Sequence, residues 1–565
     1  MKKAYLYILA AIVIANVVSC KKDFLSSPPV SVVDAKAIFG NPLQTAGFLA
    51  NIYSELSGSP DQFGAGTGFT NMCDEAEAGY AYYASNASNV GSFNGSNNPD
   101  NASLNDNYRK IRKCNVMLAN KDLMTFTPAL KDQYIAEARF LRAFFYTELL
   151  KRFGGMPIIT SPIDYEQIKD FDAQAELKKG IKRNTYAECV DFIVKQLDSA
   201  ATVLPWSPPS DLERGRVTAA ACAALKARVL LVAASPLFNG SGNELTGYPT
   251  ADPARWQLAL DAARSFFTKN TAGANWYSLY AGGFDKLFTE SRDPNNREII
   301  WYKQSSGVTT GNFDPTYFNP PNRLGGFTGY DVSLNLVDKF EMKSGLAIND
   351  AGSGYNEQQW WLNRDPRLAF SVLRNGDLWR GNTMEFWARD VSNKNLPGLD
   401  WGSQNQTGMT IKKFQRPDNG TIVTKYHYIR LADVYLMLAE AANEVGGPTA
   451  EVYTAINTVR NRATVLMPPL PAGLSKDQMR LRIQNERAVE LAFENQRYFD
   501  VRRWKIAEQT DNGPFQGFVI EKNGSTITHN RYTLEVRKFQ PRMYLYPIPD
   551  VEIFKGANIV QNPGY

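Results

Sequence analysis

Glu486, Glu490 and Glu494 recur every four residues, so a helix here would carry three carboxyls on one face. Such a stripe could hold a metal ion or supply the acid of a glycosidic cleavage. Cleavage needs two carboxyls opposed across a cleft, about 5 or 6.5–9.5 Å apart, and one helix does not provide that arrangement. Like charges at this spacing also repel one another unless cations sit nearby. Arg487, Arg497, Arg502 and Arg503 are close in sequence, and Arg460 and Arg462 lie on the preceding predicted helix. The three glutamates are therefore read as part of a structural ion network. A second acidic group, Asp74, Glu75 and Glu77, sits beside a polar, aromatic-rich loop. It could accept hydrogen bonds from ligand hydroxyls, or be no more than a helix end or a solvated cluster. Gly64-Ala-Gly66-Thr-Gly68 resembles a phosphate loop only superficially, since it lacks a Lys-Ser/Thr ending and follows no convincing strand.

The aromatic residues carry a stronger signal. Residues 57–107 are rich in Gly, Ser and Asn yet include Phe63, Phe69, Tyr80, Tyr82, Tyr83 and Phe93. Loops that keep large rings usually place something against them. Tyr80-Ala-Tyr82-Tyr83 is followed by Asn86 and Asn89, and Tyr317-Phe318-Asn319 by Asn322. Trp360-Trp361 precedes Asn363 and Arg364. Rings with amides beside them suit sugars, whose C–H faces pack on aromatics while their hydroxyls need polar rims. The candidate ligand-binding residues are Asp74, Tyr80, Tyr82, Tyr83, Asn86, Tyr317, Phe318, Asn319, Trp360 and Trp361. Any one ring could instead be core, and it is the recurrence in polar loops that favours a binding surface.

Other chemistries are poorly supplied. The chain has five cysteines and two histidines, with no C-x-x-C and no H-E-x-x-H, so no zinc site and no His-based catalysis is expected. No metal and no cofactor is expected, and the protein is read as a non-enzyme. Cys73, Cys114, Cys189 and Cys222 read as buried free thiols. The 62 basic and 57 acidic residues are dispersed, without the basic stripe that nucleic-acid binding requires. Residues 1–19 read as a signal peptide, with Lys2 and Lys3 before an apolar run from Ala4 to Val18 that only Asn16 interrupts. Cys20 follows Ser19 as in a lipobox, although Val17 stands where such boxes usually carry Leu. Lipidation is expected at Cys20.

These residues need elements to hold them. Residues 20–39 read as a tether, and Phe48, Ile52 and Leu56 mark a helix over about 40–58. Helical periodicity follows over 131–152, 185–204, 216–234 and 253–269, and again from Leu431 to Ala442 and over 449–463. Small residues at the crossings suggest paired, tetratricopeptide-like helices. Residues 270–425 instead alternate short strand-like runs with Gly, Asn and Pro turns, and hold seven of the ten tryptophans. The tail from 505 to 565 reads the same way. The expected fold is mainly α: an N-terminal helical region 40–269 and a C-terminal region 270–565. Helices over 429–504 resume the pairing inside a loop-rich, short-strand second part.

Ordered blocks along the chain resemble the SusD/RagB family. Among them are Cys20-Lys-Lys-Asp-Phe-Leu, Asp74-Glu-Ala-Glu77, Tyr108-Arg-Lys-Ile-Arg-Lys-Cys-Asn115 and Glu137-Ala-Arg-Phe-Leu-Arg-Ala-Phe-Phe-Tyr146. Arg430-Leu-Ala-Asp-Val-Tyr-Leu-Met-Leu-Ala-Glu-Ala-Ala-Asn443, Ile456-Asn-Thr-Val-Arg-Asn-Arg-Ala463 and the stretch from Glu486 to Trp504 follow. Tyr546-Pro-Ile-Pro549 and Asn562-Pro-Gly-Tyr565 complete the order. The resemblance implies a surface lipoprotein of a Gram-negative outer membrane that binds a glycan and hands it to a TonB-dependent SusC-like channel. The blocks are scaffold, so no contact residue of the family carries over. The alternatives are a tetratricopeptide-type scaffold that caps the channel and binds peptide or no soluble ligand, and, further off, a glycoside hydrolase.

Overall fold

The computed structural model describes residues 34–56, 68–79, 85–163, 172–173, 180–290, 293–304, 320–326, 328–402, 405–415, 425–555 and 558–565. Its first part is a run of helices with legible ends. α1 (Pro42–Ser54) starts where the Asn41 side chain accepts the N–H groups of Leu43 and Gln44 and proline takes the first position. α2 (Ser103–Ala119) leads to α3 (Pro128–Phe153), which stops at Gly154 with φ 81°. α4 (Tyr186–Ala201) opens with a reciprocal cap between Thr185 and Glu188. α5 (Ala219–Ala234) and α6 (Ala254–Ala272) complete the run.

Each helix packs on the next from α2 to α6. The stripe Tyr134, Ala138, Leu141, Phe145 and Leu149 is buried, as its spacing predicts, but α3 also buries Phe140, Phe144 and Phe153 on its other sides. It is therefore the central helix of the core rather than an amphipathic surface one. The small side chains of α5 let α4 and α6 approach it on both flanks.

The pairing resumes with α7 (Leu431–Gly446), α8 (Ala450–Arg460), α9 (Lys476–Glu490) and the short α10 (Arg497–Arg503). α7 packs on α6, α8 and α9, so contacts cross the 269/270 boundary read from the sequence. Leu431, Val434, Leu438, Ala439 and Ala442 are buried along the expected stripe of α7. Among the described residues, no helix is long and apolar enough to cross a membrane. Cys73, Cys114, Cys189 and Cys222 are buried free thiols, as expected.

The second part is built on short strands. They are β1 (Ala76–Ala78), β2 (Ile299–Gln304), β3 (Tyr330–Val332), β4 (Val372–Arg374), β5 (Leu378–Trp379), β6 (Asn382–Thr383), β7 (Arg389–Asp390), β8 (Met409–Ile411), β9 (Lys425–Arg430), β10 (Gly513–Asn523) and β11 (Thr526–Arg537). One antiparallel sheet has the order β1-β3-β8-β4, so its edge strand comes from the N-terminal region. A second pairs β2 with β9. Trp301 of β2 enters the helical core, edge-on to Phe140 and Phe144 and stacked on Tyr428 at 4.6 Å.

The tail corrects one expectation. Rather than short runs, it holds the two longest strands, β10 and β11, joined at Gly524-Ser525. Phe515, Phe518 and Ile520 of β10 face the interior. The two-residue loop Gly524-Ser525 has φ 61° at its first position, an angle that glycine supplies without strain.

Candidate functional site

The sheet β1-β3-β8-β4 sets the geometry. Its register pairs Ala78 with Tyr330, Asp331 with Thr410 and Val372 with Ile411. With all neighbours antiparallel, the end of β1, the start of β3, the end of β8 and the start of β4 share one edge of the sheet. Strands about 4.8 Å apart place these four ends within roughly 15 Å. Beyond β1, the Gly79 N–H donates to the Gly329 carbonyl at 3.1 Å. The flanks of segments 80–84 and 305–319 are thus tied here, the latter through residues 320–329. The end of β8 leads through Lys412–Gln415 to segment 416–424.

Three more links bring the remaining flanks in. Gln304 pairs with Lys425, so segments 305–319 and 416–424 leave the same end of the β2–β9 ladder. The Lys303 ammonium donates to the carbonyls of Ser54, at 2.8 Å, and Leu56, where segment 57–67 begins. At that segment's other end, the Asn71 carboxamide accepts the Gly68 N–H at 3.0 Å and donates to the Ser85 hydroxyl at 3.3 Å. Asn495 joins the turn Phe69–Met72, just before β1, to the second sheet: it accepts from the Thr70 hydroxyl at 3.5 Å and donates to the Tyr426 phenol of β9 at 3.2 Å. The flanks of four segments, 57–67, 80–84, 305–319 and 416–424, therefore converge on one region.

Tyr80, Tyr82, Tyr83, Tyr317, Phe318 and Asn319 lie in two of these segments, outside the described residues, as does Cys20 at the N-terminus. Gly64-Ala-Gly66 is also outside them. Asn86 is half-buried in the short helix Ser85–Asn89. Its neighbour Asn89 donates to the Glu77 carboxylate at 2.8 Å and to the Asn71 carbonyl at 3.1 Å.

Two expectations are corrected, the Trp360-Trp361 pair and Asp74. Trp360 is 2 % exposed, in a second core around the sheet, with its ring 5.7 Å from Phe518. A buried indole gives no stacking face to a ligand. Its partner Trp361 is half-buried and has the Arg374 guanidinium 4.3 Å from its ring centre and His529 at 5.4 Å. Arg374 closes β4 at the opposite edge of the sheet, so Trp361 stands apart from the converging flanks. The tandem served core packing, for which adjacent tryptophans are equally suited.

Asp74 is the other correction. It is buried and accepts two hydrogen bonds from the Arg497 guanidinium, both 2.8 Å. Burial alone would raise its pKa, but Arg497 and Lys339 outweigh that and hold it at about 2. Glu75 is also buried, accepts the Phe493 N–H at 3.0 Å and is pushed up to about 8 by burial. Glu77 takes the Arg537 guanidinium at 2.5 Å. The acidic group is neither a solvated cluster nor a ligand rim; it clamps β1 to α10 and β11.

Glu486, Glu490 and Glu494 are interior ion-pair partners, as their arginine neighbours suggested. Glu490 meets Arg367, Arg430 and Arg462 at 2.9, 2.7 and 2.6 Å. Burial would raise its pKa, yet these three guanidiniums hold it at about 2. Glu494 binds Arg430 and Lys413, both at 2.7 Å, and Glu486 binds Arg367 and Arg460. A general acid needs a raised pKa and a cleft; Glu490 has a lowered one and no exposure. Among the described residues, no three His, Cys, Asp or Glu side chains are grouped to hold a metal.

Comparison with known proteins follows the same architecture. Residues 297–565 match a family model described as the SusD family, and residues 41–231 match one described as starch-binding, associating with the outer membrane. SusD-like protein P2 of Formosa agariphila is 24% identical over 477 residues, covering 81% of this chain and 79% of that one. A SusD-like protein from Bacteroides fragilis superposes with a TM-score of 0.75 at 24% identity, covering 94% of this chain and 99% of that one. A laminarin-binding SusD-like protein does so with 0.62 at 21%, covering 93% and 99%. Two family models in chain order and a shared fold across both regions lead to one conclusion: the chain belongs to the SusD/RagB family.

Proposed function

We propose that this protein is a surface lipoprotein of the outer membrane that captures a glycan without cleaving it and passes it to a TonB-dependent channel. The observation that carries the reading is the convergence of the flanks of 57–67, 80–84, 305–319 and 416–424. In sequence these segments supply Phe63, Tyr80, Tyr82, Tyr83, Phe313, Tyr317 and Phe318, with Asn and Asp among them. Rings and amides in these sequences match the C–H faces and hydroxyls of a sugar chain. The starch-binding description of one matching family and the laminarin-binding relative support the ligand class. Modest affinity suits handover, because a tightly held ligand leaves slowly.

The test is retardation of the soluble body in native gels that contain a panel of glycans, followed by analysis of the retained glycan. At least one glycan should retard the body, and its chain length should stay unchanged over hours. No retardation by any glycan would favour the scaffold reading. Release of reducing ends, abolished by one carboxylate substitution, would favour an enzyme.

The anchor has its own test. An acyl anchor contributes about 0.8 kcal/mol per buried methylene, and two or more chains hold a body firmly. Cys20→Ala should therefore move the protein from the membrane to the soluble fraction. A variant that still sediments with membranes would place the attachment elsewhere.

A further inference from the structure

Where β8 ends and β4 begins, at the sheet edge described above, a cavity of about 390 Å³ opens between Phe284, Phe288, Phe370, Trp379 and Phe414. That volume falls in the range of small-ligand sites. Phe370 and Phe414 are half-buried, and Trp379, Phe284 and Phe288 form deeper walls. Phe414 has φ 73°, a left-handed backbone that a bulky residue adopts only under constraint. Its ring lies edge-on to Phe288, with the centroids 5.0 Å apart, so the strained residue serves as a wall of the cavity.

The polar groups of the lining are unequal. Lys413 is buried against Glu494. Lys286 faces Glu290 at 3.8 Å, and Glu290 also accepts the Tyr280 hydroxyl at 3.0 Å. Asp285 accepts the Thr464 hydroxyl at 3.3 Å. Gln415 takes the Trp379 indole N–H at 3.2 Å and donates to the Ile411 carbonyl. Lys412 differs. Its ammonium donates to the Ala369 carbonyl at 2.8 Å and stands 5.1 Å over the Trp379 ring, and among the described residues no carboxylate lies within ion-pair distance of it. The charges of Asp377 and Asp285 also reach Lys412, but Asp377 is paired with Arg374 at 3.1 Å and neither carboxylate is within ion-pair distance of the Lys412 ammonium. Among the described residues the ammonium donates to the Ala369 carbonyl alone, which leaves two N–H bonds for a ligand.

We propose that this cavity is a subsite for an acidic sugar unit, its ring against Phe370 and Phe414 and its carboxylate or sulfate on the Lys412 ammonium. The proposal rests on the glycan-capture reading and narrows it to a substrate class. Burial disfavours the charge on Lys412, so an incoming anion relieves a cost that a neutral sugar leaves in place.

The experiment measures mobility in native gels containing polygalacturonate, a sulfated galactan or a neutral galactan, each relative to a glycan-free gel. Wild-type protein should be retarded by at least one of the two anionic gels, and which one distinguishes carboxylate from sulfate. Lys412→Gln should lose at least about fivefold of that retardation while keeping any retardation by neutral galactan, and Lys412→Arg should restore it. Either of two results overturns the proposal: no retardation of wild type in both anionic gels, or a Lys412→Gln variant that runs as wild type there. Neither result touches capture by the converging segments, which the alanine variant at Tyr82, Tyr83 and Tyr317 tests with the glycan panel.

Discussion

Glu490→Ala should destabilise the fold by roughly 3–5 kcal/mol, the usual cost of leaving a buried charge without its partner. Glu490 is fully buried, and its two oxygens serve Arg367, Arg430 and Arg462. Arg367 keeps Asp365 and Glu486, Arg462 keeps Glu298, and Arg430 keeps Glu494 and Glu298, so the change leaves three buried guanidiniums one carboxylate short. Glu451→Ala is the contrasting case. Its bond to Arg264 is short, at 2.7 Å, but both side chains are a third or more exposed, so the change should cost less than about 1 kcal/mol. Thermal and urea midpoints of the two variants against wild type measure the difference. Equal midpoints would mean that the network is not what holds α9 against β9.

The same network sets an acid limit. Glu490 falls from 4.5 to about 2 on folding, so the unfolded chain takes up the proton first as pH drops. The stabilisation it contributes is complete above the ordinary glutamate range and is lost progressively from about pH 5 towards pH 2. Asp433, buried between Arg228 and Arg487 and also held at about 2, adds to the trend with the same sign. Midpoints should therefore fall steeply over this window, and Glu490→Gln should flatten part of the slope.

These ion pairs also explain what was legible in the sequence and what was not. The helices were readable because residues such as Leu431, Val434, Leu438 and Ala442 repeat at helical spacing. The network was readable in part, from arginines near Glu490 in the chain. Its members Glu298, Arg367 and Lys413 come from distant segments and left no local trace. β1 is only Ala76-Glu77-Ala78, and its partner β3 lies some 250 residues away, so no periodicity announces it. That pairing turned Asp74 into a clamp on Arg497 rather than a ligand rim. Trp360 failed for a related reason: a tryptophan beside Asn and Arg reads as a loop ring until its burial against Phe518 is known. The cavity beside Lys412 was missed because its walls come from 284–288, 370, 379 and 412–415, and only the backbone angle of Phe414 marks it.

The central claim is that the converging segments hold the glycan. Tyr82, Tyr83 and Tyr317 belong to segments whose flanks meet at Gly79 and Gly329 and at Gln304 and Lys425. Each ring stacked on a sugar in a wet, shallow site contributes on the order of 1 kcal/mol, so three together should be worth at least about tenfold in retention. The variant should melt as wild type does. The decisive measurement is the retention of the Tyr82→Ala, Tyr83→Ala, Tyr317→Ala variant in a gel whose glycan retards wild type, with melting recorded on the same sample. A loss of tenfold or more at an unchanged melting midpoint is the predicted result, and unchanged retention would place the binding surface elsewhere on the protein.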